Sequence, residues 1–221
     1  MGSMSETLWA KNQDLAIACL ENLFVRGIAT GTLPKSTFAY YVGQDAFFLE
    51  AFARAYSIAA AKAPDWESFE IFHRLADGVL EELTLHQRYA STWNVDLKTV
   101  TPGATTRRYT DFLLATAWSS GVGVTTCAML PCMRLYAFLG TMLATENQPA
   151  HDYTDWIQTY SSGEFDDLAQ QLAHLANTYT SEGEAEQTAY RYAMQCELDF
   201  FQAAWDIGIA PSNKHGKPEV G

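Results

Sequence analysis

Apolar residues recur at three- and four-residue intervals along nearly the whole chain, the spacing of one buried face of a helix. The first such stripe, Leu8, Leu15, Cys19 and Leu23, predicts a helix over 5–27, closed by Gly27 and Gly31. Pro34 suits the first turn of a second helix, rich in aromatics, which runs to the Pro64-Asp65 break. Phe69, Phe72, Leu75, Val79, Leu80 and Leu83 give 66–89 a single inward stripe. Residues 95–106, holding Pro102-Gly103, read as a loop, and 107–118 as a fourth helix interrupted by Ser119 to Gly123. A long apolar run over 125–143 reads as a buried helix, and Pro149 starts a short one to 160. Capping boxes at Ser161…Glu164 and Ser181…Glu184 launch 165–179 and a last helix to about 207. No useful strand alternation and no internal repeat occurs, so the pattern predicts one all-α domain over 5–209 with roughly eight helices. Met1-Gly2-Ser3 reads as an expression scar, and 210–221 as a disordered tail.

Composition narrows the function classes. Apolar residues make up 48% of the 221 positions, enough for a sizeable core, and the net charge of −12 argues against binding nucleic acid or an anionic membrane. No signal segment and no uninterrupted apolar run of membrane-spanning length is expected. Cys19, Cys127, Cys132 and Cys196 have no paired spacing, which fits reduced thiols in a cytoplasm.

Within the apolar run, Leu130-Pro131-Cys132-Met133-Arg134-Leu135-Tyr136 is the unusual stretch. Pro131 requires a kink or a restart, and Cys132 and Tyr136 share a face one turn apart. A packed core is the ordinary reading of such a thiol. Two carboxylates pose a harder question. Asp45 sits between Tyr41 and Phe48, and Glu197 has Met194, Phe200 and Phe201 on its face; a buried charge there is costly unless bonded or paired. An ion pair with a neighbouring helix, or a structural acceptor, accounts for either one alone. Asp199 faces another way, toward solvent. His73, His86, His151 and His174 lack metal-ligand spacing, and Glu82 with His86 at i, i+4 reads as a surface pair. If the chain is an enzyme, Cys132 is the best nucleophile and a carboxylate its proton partner.

Taken together, Gln44-Asp45-x-Phe-Phe48-Leu, Tyr109, Leu130-Pro131-Cys132-x-x-Leu135-Tyr136, Trp156-Ile157-x-x-Tyr160 and Glu197-x-x-Phe200 resemble the thiaminase II family. These TenA-type aminopyrimidine aminohydrolases have the haem-oxygenase-like fold, and the likeness runs from about 6 to 207. The resemblance implies Cys132 as nucleophile and Glu197 as proton donor and acceptor. It implies that Asp45 bonds the aminopyrimidine, that Tyr109 and Phe200 sandwich its ring, and that Tyr136 and Tyr160 bond within the pocket and hold the thiol. It further implies a homotetramer with no metal or organic cofactor, cleaving the C–N bond at an aminopyrimidine methylene in thiamin salvage. Phe48 stands where many members carry Tyr, which leaves open the preferred pyrimidine. A metal-dependent oxidase or cofactor-synthesis enzyme on the same scaffold and a non-catalytic pyrimidine binder are the other readings.

Overall fold

The computed structural model describes residues 2–93, 95–146, 149–181 and 183–209. The sequence-predicted tail therefore lies outside the described residues. Among these the chain forms ten helices and no strand, so the all-α expectation holds, with two more helices than the pattern predicts.

The extra helices come from the first segment, which divides into α1 (Met4–Lys11), α2 (Gln13–Glu21) and α3 (Leu23–Thr30). Two asparagines do this by competing with the backbone ladder. The Asn12 amide donates to the Leu8 carbonyl at 2.7 Å, and the Asn22 side-chain oxygen accepts from the Phe24 N–H at 2.9 Å. Ser3, set aside as part of a scar, is the N-cap of α1 and forms a reciprocal box with Glu6. Gly31, at φ 70°, ends α3 in the left-handed region that favours glycine.

The long helices α4 (Lys35–Ala61) and α5 (Trp66–Thr92) follow as the pattern predicts. α6 (Ala104–Ser119) starts three residues early, because the Gln44 side-chain oxygen accepts from both the Gly103 N–H and the Thr106 hydroxyl and fixes its first turn. α7 (Val122–Ala144) passes Pro131 without a restart. Proline inside a helix costs about 3 kcal/mol, and the burial of α7 between neighbouring helices outweighs it. By length and composition α7 could cross a membrane, although Arg134 interrupts its apolar run, and 72% of its apolar window is buried inside the protein, as in a central core helix. α8 (Thr154–Tyr160) starts later than Pro149, since the His151 N–H and imidazole are spent on a turn with Thr154 and Tyr153. α9 (Gly163–Tyr179) is capped by Ser162 rather than Ser161, and before α10 (Glu184–Ile209) the Ser181 hydroxyl bonds Glu186 rather than closing a box with Glu184.

α4 lies against α5 and α6, α7 against α8 and α9, and α10 joins the two groups by packing on both α4 and α7. Side chains that α4, α7 and α10 turn inward therefore meet in the middle of the molecule. Lys62, just after α4, donates to the carbonyls of Ala117, Trp118 and Ser120 and so caps the end of α6.

Candidate active site

Cys132 is where these helices converge. Its neighbours along α7 are buried, Leu130 and Leu135 completely, yet Cys132 keeps part of its surface accessible. The thiol lies close enough to the carboxylate of Glu197 on α10, itself only 2% exposed, for each to shift the other's proton affinity. Glu197 is held from the other side by the Tyr109 hydroxyl of α6, which donates to Oε1 at 2.7 Å. Asp45 on α4 is buried close enough for its charge to act on both Cys132 and Glu197.

Electrostatics follow from this crowding of acids. Burial pushes the Glu197 carboxyl up to about 8, opposed by the bonds from Tyr109 and Cys132 and reinforced by Asp45. Burial alone takes Asp45 up to about 7. The Cys132 thiol is held well above its ordinary range, first by burial and then by the negative charges of Glu197, Glu82 and Asp45. At neutral pH the resting site is thus a thiol beside a carboxylic acid able to give and take a proton.

Aromatic rings enclose this group. Phe48 lies 4.9 Å from the Tyr109 ring and 6.5 Å from Phe200, and Phe200 is 5.8 Å from Tyr41. Tyr136 and Tyr160 meet edge to face at 4.7 Å. The resemblance implies that these two hydroxyls hold the thiol; in the structure each has another partner. Tyr136 pairs with the Tyr41 hydroxyl at 3.3 Å, which also accepts from Trp156 Nε1 at 3.4 Å, and Tyr160 donates to Glu82 Oε1 at 3.0 Å. Tyr109 likewise has a polar task beside any ring contact, because its hydroxyl anchors the acid.

Cys132, Glu197, Asp45, Phe48, Tyr109, Tyr136, Tyr160 and Phe200 are thus gathered from α4, α6, α7, α8 and α10. Sequence reasoning missed Glu82. On α5 it is half-buried and bonded to Tyr160, where a surface pair with His86 was expected; the side chain of His86 lies outside the described ones. Tyr41 was noted only as a neighbour of Asp45 on the same face and given no part in the site. Arg134 points away, its guanidinium 5.0 Å over the Trp9 ring beside a groove of about 270 Å³. Asp199 pairs with Arg108 on the outer side of α10. Among the described residues no three His, Cys, Asp or Glu side chains gather in a way that would hold a metal ion.

A helical bundle with its reactive side chains on facing helices is the haem-oxygenase-like architecture. A domain of that fold from Shewanella denitrificans superposes with a TM-score of 0.75, at 9% identity over 96% of this chain and 98% of that one. Within that class the chain belongs to the TENA/THI-4/PQQC family, whose model matches residues 11–207. A solved TenA homologue from P. horikoshii aligns at TM-score 0.86 and 24% identity, over 93% of this chain and 99% of that one. The aminopyrimidine aminohydrolase of Halalkalibacterium halodurans is 30% identical over 92% of this chain and 96% of its own length. The thiamine biosynthesis multifunctional protein ThiED of Corynebacterium efficiens is 32% identical over 92% of this chain, and the mitochondrial bifunctional TH2 protein of Arabidopsis thaliana 35% over 89%. The chain spans only 28% and 36% of those two longer proteins.

Proposed function

We propose that the protein is a hydrolase that cleaves the C–N bond at the methylene of an aminopyrimidine and releases 4-amino-5-hydroxymethyl-2-methylpyrimidine, with Cys132 as nucleophile. The convergence of the Cys132 thiol, the buried Glu197 acid anchored by Tyr109, and buried Asp45 carries this reading. The aminopyrimidine aminohydrolase relative, similar over nearly its whole length, supports the substrate class.

The residues divide the work as follows. Asp45 accepts from the ring's amino group, and the surrounding rings contribute about 0.5–1.5 kcal/mol per well-placed pair. Glu197, protonated near neutrality, donates to a ring nitrogen as the sulfur of Cys132 bonds to a ring carbon. The thiol proton passes to the departing amine, which leaves with the electron pair of the C–N bond. Water then adds to the exposed methylene and gives its spare proton to Glu197. The C–S bond breaks with its pair returning to sulfur, which regains a proton from the ring nitrogen.

The homotetramer implied by the family and the cytoplasmic setting expected from the unpaired cysteines belong to the same proposal, and the exposed side chains of Trp66, Leu80 and Trp118 support self-association. The nucleophile is tested with Cys132→Ser. The variant retains the helical circular dichroism of the parent and releases no hydroxymethylpyrimidine from 4-amino-5-aminomethyl-2-methylpyrimidine or from thiamin, as resolved by mass. Turnover at the parent's rate would sink the assignment.

A further inference from the structure

Among the described residues three buried hydroxyls lack any hydrogen-bond partner: those of Thr37, Tyr56 and Tyr190. Tyr190 faces Arg134 and Cys127, away from the site. Tyr56 is different. It continues the α4 stripe of Asp45, Phe48 and Phe52, and of the four aromatics that follow Asp45 in α4 it alone carries a hydroxyl. A helical tyrosine leans toward the N-terminus of its own helix, here toward Phe52 and the reacting groups beyond it. Its ring stands 4.7 Å from Phe52 and 6.4 Å from Phe72, and the residue is 0% exposed. The ionisable groups near enough to act on its phenol are Cys132 and Glu82.

A buried hydroxyl without a partner costs stability, and phenylalanine would fill the same space without that cost. The orphaned oxygen belongs to the same α4 stripe as Asp45 and Phe48, on the side of the helix that holds the reacting groups. We infer that the Tyr56 hydroxyl is the hydrogen-bonding contact for the water that enters the second half of the reaction, and afterwards for the hydroxyl of the product. This assignment rests on the functional reading above. The water oxygen bonds to the methylene carbon while held by Tyr56, its spare proton goes to Glu197, and the C–S bond breaks as already described, so Tyr56 neither gains nor loses a proton.

The test measures binding, which separates it from turnover. Wild type and Tyr56→Phe are titrated with 4-amino-5-hydroxymethyl-2-methylpyrimidine and with 4-amino-2,5-dimethylpyrimidine, which lacks the oxygen. Wild type is expected to prefer the hydroxymethyl ring by about fivefold, the net worth of one hydrogen bond, and Tyr56→Phe to lose that preference while its unliganded Tm stays at or above that of wild type. A variant that keeps the preference overturns the assignment, as does a wild type that binds both rings equally. A lowered Tm in the unliganded variant overturns it too, by showing that the hydroxyl has a structural bond. Failure of wild type to bind either ring removes the aminopyrimidine reading itself, and the assignment with it.

Discussion

Tyr109 shows how one hydroxyl tunes the reacting acid. Its bond to Glu197 favours the carboxylate and so opposes the upward push of burial. Tyr109→Phe keeps the ring and removes that bond, so the Glu197 carboxyl should rise further above about 8. The expected outcome is a pH–rate profile whose Glu197 limb moves alkaline, with kcat reduced roughly tenfold through poorer orientation of the acid. An unmoved limb with equal loss of rate at every pH would assign Tyr109 to ring packing alone. Asp45 and Glu197 stood out in the sequence because a carboxylate within an aromatic stripe needs an explanation. Glu82 did not, because a glutamate on an amphipathic helix four residues from a histidine looks solvated. Its task depends on Tyr160, 78 residues away, and on no local pattern.

At the level of helices, long apolar periodicity was read well and punctuation was read poorly. Proline at 131 looked like a break and is absorbed, whereas Asn12 and Asn22 looked unremarkable and divide a helix. The difference is tertiary: α7 is clasped on several sides, while the N-terminal segment has to bend around α10. Contact between helices also depends on small residues that periodicity does not mark. A Cβ at Gly140 would lie 2.3 Å from the backbone carbon of Tyr160, so glycine lets the end of α8 rest directly on α7 and brings Tyr160 beside Tyr136. Since the obstacle is backbone, Gly140→Ala is expected to cost about 2 kcal/mol, or roughly 5 °C in Tm, and to lower activity by displacing Tyr160. Calorimetry showing an unchanged or raised Tm would contradict this packing.

For the whole molecule, the site's acids are a charge that the fold carries at the expense of stability. Asp45 and Glu197 hold their protons in the folded state up to about 7 and about 8, against 3.8 and 4.5 for the unperturbed groups. Between these limits the folded chain binds more protons than the unfolded one, so stability falls as pH rises. The slope is about 1.4 kcal/mol per pH unit for each group while it titrates in one state only. The carboxyls that bind arginine or are capped at the surface, such as Asp14, Asp65 and Glu146, are shifted downward and are ionised throughout pH 6–8, so they leave this window alone. Thermal midpoints should therefore decline from pH 6 to pH 8 in wild type. Asp45→Asn and Glu197→Gln should each flatten that decline, because a neutral amide carries no ionisation to suppress. Equal slopes in all three proteins would mean that the two acids are already ionised in the fold, and that the proton the proposed chemistry draws from Glu197 is not there to be given.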